Sequence, residues 1–232
     1  MTLRAGTRSL GRMSALMLVV GSRNYSSWSL RPWLLLRHLG LPFTERQFEL
    51  DTPEFDAEIA TISPTRRVPV LLHGAVRVWE SLAICEYASE LAQGRGWPRD
   101  PALRATARAI AAEMHSGFAA LRAACPMNAR VSGRQVPMTP SLERDVKRID
   151  AIWSGCRRDN GELGPYLFGG FSIADAMFAP VVLRVRSYGL PLSELARRYQ
   201  ETMMSDAHLA EWIEASRLET RVIPHEEVGA GA

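Results

Sequence analysis

Lysine is all but missing from this 232-residue chain: of its 28 basic residues, only Lys147 is not arginine. Arginine used throughout in place of lysine looks like genome bias rather than phosphate recognition. No basic stripe with interleaved aromatics appears, so no nucleic-acid partner is expected. Acidic residues are absent from residues 1–15, which hold Arg4, Arg8 and Arg12; the formal net charge of +3 arises there, and the rest of the chain balances to zero. That stretch has no apolar centre of the kind a secretory signal needs, and reads as a disordered leader or an extended start. Long apolar runs are missing too. The longest candidate, residues 16–20, falls far short of the roughly 20 residues that cross a bilayer, so no membrane span is expected.

Cysteine is scarce and odd in number. Cys85, Cys125 and Cys156 stand far apart, form no CxxC pair, and have no metal-ligand spacing with the five histidines. A disulfide framework is excluded, no metal is expected, and isolated core thiols suit a reducing, cytoplasmic setting. What remains is the composition of an ordinary soluble globular protein, 47% hydrophobic and 23% charged, long enough for one large domain or two small ones.

The first part of the chain alternates strand and helix signals. Residues 17–20 form a short apolar run ending at Gly21, a first buried strand. A polar loop follows, and then residues 30–39 predict a helix stopped by Gly40. Residues 43–50 alternate apolar and polar, as a half-buried strand does. Residues 53–62 are short and acidic, a loose helix. Residues 68–72 and 76–79 are two strands around His73 and Gly74, a hairpin signal. Residues 81–93 return to helical spacing through Leu82, Cys85, Ala88 and Leu91.

This order describes a small α/β sandwich over residues 16–93, ending in a Gly/Pro-rich linker, residues 94–101. Residues 102–232 read as all-helical, with helices expected over 102–124, 141–156, 172–188, 192–203 and 207–216. The switch from α/β to all-α at one linker is the strongest organisational signal.

Three features of the first part can carry chemistry. Tyr25-Ser26-Ser27-Trp28-Ser29 lies between the first strand and the first helix. Its serines can cap free helix amides, or serve an anion held at a positive helix end. Pro32 must sit in the first helical turn or distort it, because it has no amide to donate. Arg66-Arg67-Val68-Pro69-Val70 lies where a loop becomes a strand. Pro69 is either a trans proline at a strand edge, or a cis one that leaves the Val68 backbone free to pair with an extended ligand. Trp79-Glu80-Ser81 lies where a strand becomes a helix. There Ser81 either caps the helix, with Glu80 favouring its positive end, or the pair holds the carboxylate and ammonium of an amino-acid ligand.

Taken together, the order Ser-Ser-x-Ser-x-Arg, Ser-Pro-x-Arg-Arg-Val-Pro and Glu-Ser-Leu-Ala-Ile resembles the soluble glutathione transferases of the serine type. It is nearest to the zeta class and its bacterial relatives, over residues 16–216. The resemblance implies a thioredoxin-like domain that binds glutathione, an all-helical second domain and a homodimer. It implies that Val68, before a cis Pro69, pairs through its backbone with the cysteinyl part of glutathione, and that Glu80 and Ser81 hold the γ-glutamyl end. Ser26, with Ser27 as second candidate, would support the thiolate, and Arg66 would lie near the glycyl carboxylate. Ser172 and Asp175 have capping-box spacing and resemble the family's box at the start of its central second-domain helix. Asp175 is read as a cap rather than an acid catalyst, and Pro180 should kink or end that helix.

Other tempting residues read as core. Met114, Phe118, Leu121 and Cys125 recur at helical spacing, and His115 has no visible carboxylate partner.

The activity this resemblance implies is a transferase reaction, in which an activated glutathione thiol attacks a small electrophile without a metal. Trp28 stands where the zeta signature has cysteine. Conjugation therefore leads over glutathione-dependent isomerisation of a maleyl-type diacid. The rival from another class is a non-catalytic binding protein on the same scaffold, which would not need Ser26, Glu80 and Ser81 together. A thioredoxin-type disulfide reductase lacks its CxxC.

Overall fold

A computed structural model describes residues 15–229. The leader expected over residues 1–15 therefore lies outside the described residues, apart from Ala15.

The chain opens with strand β1 (Leu16–Val20), then helix α1 (Ser27–Leu39), strand β2 (Phe43–Gln47) and helix α2 (Pro53–Ile62). Strands β3 (Val70–His73) and β4 (Val76–Trp79) follow, and helix α3 (Ser81–Leu91) closes the unit. The four strands form one mixed sheet in the order β2-β1-β3-β4. β1 runs parallel to β2, with Leu16 opposite Phe43, and antiparallel to β3, with Leu16 opposite His73. A tight turn at Gly74, whose φ of 59° falls where glycine is unstrained, reverses the chain into β4.

Apolar residues on the two sides of the sheet feed different clusters. Leu18 and Leu71 join the large core with α1 and α3, while Val19 and Val70 pack with Ile59 and Ile62 of α2. This is the side alternation that strand geometry imposes. β2 is shorter than its alternating pattern predicts, and it is exposed from Thr44 onward. As the edge strand it has a neighbour on one side only, so alternation there does not translate into burial.

The remaining helices are α4 (Pro101–Ser116), α5 (Ala119–Ala124), α6 (Pro140–Asn160), α7 (Ile173–Tyr188), α8 (Glu194–Met204) and α9 (Ala207–Arg217). The single helix expected over 102–124 is two. Gly117 breaks it, and Phe118 follows with a left-handed φ of 60°. A side chain at Gly117 would stand 2.7 Å from the Glu113 carbonyl, so only glycine fits this break. α7 continues through Pro180 to Tyr188, so the proline does not end it early, and nearly every residue is buried. Packing of an apolar helix on all sides outweighs one missing backbone hydrogen bond.

Met114, Phe118, Leu121 and Cys125 are all buried, as their spacing predicts. The same large cluster includes residues of α1, α3, α4, α6, α7, α8 and α9, so the sheet unit and the helices share one core. No helix among the described residues is long and apolar enough to cross a membrane.

Candidate functional site

α1 begins earlier than its apolar spacing predicts. Ser27 is its first residue and Ser26 the flanking one, which places Pro32 beyond the first turn. Neither serine caps the helix. The Ser26 hydroxyl donates to Ser29 Oγ at 2.8 Å, and that oxygen also accepts from the Gly21 amide at 3.1 Å. The Ser27 hydroxyl meets no partner among the described residues, and neither do the amides of Trp28 and Ser29. The first helical bond runs from Leu30 to the Ser26 carbonyl. The result is a positive helix end with free donors, next to a cavity of about 640 Å³ lined by Ser26, Ser27 and Trp28.

The opposite wall of that cavity comes from the turn before β3. Arg66, with a left-handed φ of 55°, and Arg67 are exposed there, and Val68 is half-buried. The Val68–Pro69 peptide is cis, and Pro69 directly precedes the first residue of β3. Neither the amide nor the carbonyl of Val68 is hydrogen-bonded among the described residues.

Trp28, Arg67 and Val68 also line a smaller recess of about 100 Å³ that leads to Pro69, Glu80 and Ser81. The seven residues singled out in the sequence (Ser26, Ser27, Arg66, Val68, Pro69, Glu80 and Ser81) thus converge on two adjoining cavities.

Ser81 does not cap α3. It is the first helical residue, 1% exposed, and its hydroxyl has no partner among the described residues. A buried hydroxyl without a hydrogen bond carries a desolvation penalty of about 1–3 kcal/mol. Glu80 flanks it with a left-handed φ of 70° and an exposed carboxylate. His115, read from the sequence as unpartnered, approaches that carboxylate at 3.8 Å and meets the Trp28 ring edge-on. Burial and then the Arg31 guanidinium push His115 below its ordinary value; Glu80 opposes them, and Arg122 adds to them.

The helical part contributes residues that no motif revealed. Arg122 and Arg184 both line the large cavity. Arg122 closes the end of α4 by donating to the carbonyls of Gly117 and His115, at 3.0 and 3.3 Å. Arg184 is 4% exposed and donates from Nε to the Cys125 carbonyl at 2.7 Å, while its Nη1 has no partner. Burial, with Arg122 nearby, pushes Arg184 down to about 10, and Glu226 acts against this. The visible signal for Arg184 was a charge following the apolar run from Ala176 to Leu183.

The carboxyl-terminal segment crosses over the loop that follows β1. Glu219 accepts from Ser22 Oγ and from the Arg23 and Asn24 amides, at 2.5, 2.7 and 3.1 Å. Glu227 accepts from Tyr25 and Asn128 and pairs with Arg130 and Arg134. Between these anchors His225 and Glu226 reach the large cavity. Burial raises the Glu226 carboxyl against the pull of His225 and Arg184. Tyr25, beside Ser26, also lines the large cavity, but its hydroxyl is tied to this strap through Glu227. Burial and the Glu227 hydrogen bond raise its phenol, so the available hydroxyls are those of the serines. Partners nearly 200 positions apart leave no local pattern to read.

Among the described residues no group of three His, Cys, Asp or Glu side chains is placed to hold a metal ion.

Comparison with known proteins gives a consistent picture. The family described as "Glutathione S-transferase, N-terminal domain" matches residues 25–91, and "Glutathione S-transferase, C-terminal domain" matches residues 139–215. A maleylacetoacetate isomerase of Rattus norvegicus is 28% identical over 175 residues, 74% of this chain and 78% of that protein. A glutathione transferase homolog from Burkholderia gl BGR1, solved with bound glutathione, superposes with a TM-score of 0.66 at 25% identity, covering 88% of this chain and 98% of that one. The nitrogen regulation fragment of the yeast prion protein Ure2p shares the fold, with a TM-score of 0.66 at 21% identity over 89% of this chain and 97% of that one.

Proposed function

The chain belongs to the glutathione S-transferase family, and on that premise we propose that it binds glutathione and activates its thiol for attack on a small electrophile. The observation that carries this reading is the orphaned Ser81 hydroxyl at the start of α3, beside Glu80 and joined past Trp28 and Val68 to the Ser26–Ser27 turn. An extended tripeptide fits that path. Its γ-glutamyl carboxylate would meet Ser81 and the first amides of α3, and its ammonium would meet Glu80. Its cysteinyl backbone would pair with Val68, its glycyl carboxylate would lie near Arg66, and its sulfur would face the start of α1.

The energetics need no metal. A free thiol with a pKa of about 8.5 is roughly 3% thiolate at pH 7. Lowering that pKa by two units takes about 2.7 kcal/mol and raises the thiolate fraction to about three-quarters. One hydroxyl donor to a charged acceptor supplies about 1.5–3 kcal/mol, and a helix start about 0.3–1 kcal/mol more.

A second reading, glutathione-dependent cis-trans isomerisation of a maleyl-type diacid, is favoured by Arg122 and Arg184 in the cavity wall next to the serines. Two guanidiniums there suit an acidic substrate, and the rat relative is named for that kind of reaction.

A homodimer in the cytoplasm completes the proposal. Val76 and Trp79 expose apolar surface on the edge strand β4, which a second copy would cover. The three cysteines are free and buried, which suits a reducing compartment. A sedimentation mass of one chain at micromolar concentration would count against the dimer.

The deciding test is a glutathione titration followed by turnover with neutral electrophiles and with a maleyl-type diacid. Conjugation of the neutral set supports the first reading, and isomerisation of the diacid alone supports the second. Tight binding without turnover of either leaves a binding protein on this scaffold. No binding at all removes the proposal.

A further inference from the structure

Arg31 is a buried cation with nothing to neutralise it. It is 0% exposed, and Nε, Nη1 and Nη2 all lack a hydrogen-bond partner among the described residues. Its side chain runs back toward the helix start, as helical side chains do. The guanidinium carbon lies 4.1 Å over the ring of Trp28, one turn earlier, and that of Arg122 lies 4.7 Å from the same ring. Stacking on an indole offsets part of the desolvation but satisfies none of the N–H donors.

The groups around it make the charge balance worse. Arg122 of α5 and Arg184 of α7 repel it, as His115 of α4 would if protonated, while Cys85 of α3 is a buried thiol held neutral by its desolvation. Glu80 stands 3.8 Å from the His115 ring and is not among the charges that act on Arg31. Burial and these two arginines push the guanidinium well below its usual range. A guanidinium stays protonated in proteins, so the direction of the shift registers a missing counter-charge.

Arg122 and Arg184 line the large cavity and each have a backbone carbonyl to bond, although Arg184 keeps an unpartnered Nη1. Arg31 has no such partner. A buried charge with no partner in the free protein is accounted for when a ligand brings one.

We propose that Arg31 is a positioning residue that stabilises the glutathione thiolate through its field, from beneath the Ser26–Ser27–Trp28 turn, with the bound sulfur anion as its missing counter-charge. This rests on the reading that the chain binds glutathione. Arg31 is fully covered from bulk solvent, so its field is weakly screened. The serines then add a hydrogen bond to a sulfur already biased toward the anion.

The test uses the full chain as Arg31→Met and Arg31→Gln, with thiolate absorbance of bound glutathione followed against pH. Both variants are expected to raise the thiol's pKa by about one unit, with a correspondingly lower kcat at neutral pH and little change in KM for glutathione. The ligand-free variants should unfold at temperatures no lower than the unaltered protein, because the removed charge had no partner to lose. Folded variants with an unmoved thiol pKa overturn the proposal. So does failure of both to fold, which would make Arg31 a structural residue. If the unaltered protein binds no glutathione, the functional reading falls first and this proposal falls with it; binding with an unmoved pKa overturns the Arg31 proposal alone.

Discussion

Ser26 Oγ donates its hydrogen to Ser29 Oγ at 2.8 Å, so in the ligand-free chain its proton points along the helix and not into the cavity. Ser27, the next residue, keeps an uncommitted hydroxyl on the same cavity wall. The family resemblance puts Ser26 first; the hydrogen bonding favours Ser27. Freeing Ser26 from Ser29 forgoes about 0.5–1.5 kcal/mol, against about 1.5–3 kcal/mol gained on a charged sulfur, so Ser27 is the donor that acts without that loss.

Ser27→Ala should therefore raise the pKa of the bound thiol and slow turnover by roughly ten- to thirtyfold, for a contribution of about 1.4–2 kcal/mol. Ser26→Ala should do less. Thiolate absorbance against pH in both variants decides the matter. A larger effect from Ser26→Ala means that its hydroxyl turns on binding, and no effect from either removes hydroxyl activation.

Ser81→Ala should separate binding from stability. The hydroxyl has no partner in the free chain, so its loss should leave the ligand-free unfolding midpoint unchanged or higher. Glutathione affinity should fall about tenfold or more, for a lost bond to a carboxylate of about 1.5–3 kcal/mol. Glu80→Ala should mainly raise KM for glutathione, because the ammonium it meets does not change during reaction. Calorimetric titration beside thermal melts of both variants checks this. A kcat loss at saturating glutathione would place either residue nearer the chemistry than proposed.

Asp175→Asn should cost stability and leave chemistry alone. The carboxylate is fully buried and accepts from the Leu167 and Ser172 amides, Ser172 Oγ and Tyr199 Oη, at 3.1, 2.9, 2.8 and 3.1 Å. An amide offers one acceptor oxygen to those four donors, so denaturant unfolding should show a loss of about 2–4 kcal/mol. The turnover of the folded fraction should not change. A specific loss of kcat without loss of stability would restore Asp175 as a catalytic acid.

Acid stability should depend on Asp206. Burial alone would raise this carboxyl, but hydrogen bonds from His38, the Leu209 amide and Tyr166 outweigh it and hold the group at about 2. His38 Nε2 stands 2.9 Å away and Tyr166 Oη 2.7 Å. A folded pKa below the unfolded one means that the stabilisation is complete above pH 4. It is lost as pH falls from about 4 toward 2, at a cost of about 2 kcal/mol. Asp206→Asn should flatten the stability profile in that window. An unchanged profile would show that other carboxylates set the acid limit.

The sequence by itself determined the element order, the change from mixed to helical structure, and the identity of the family. Local chemistry suffices there: period-two and helical spacing name the elements, and Ser-Ser, Val-Pro and Glu-Ser are short motifs at the junctions between elements. It also determined that Ser172 and Asp175 form a capping box, because cap and partner are three residues apart. Only the tertiary structure decided which residues are left without partners. Ser81 looks like a cap in sequence but is an orphan hydroxyl, since the helix begins at Ser81 itself rather than after it. His115 approaches Glu80, and Arg31 gains no hydrogen-bond partner among the described residues, although both are ordinary polar residues along the chain. The strap anchored by Glu219 and Glu227 was equally silent in sequence, because its partners lie some 100 to 200 positions away. A hydrogen bond or a missing charge is a property of what folding brings together, and no spacing along one segment encodes it.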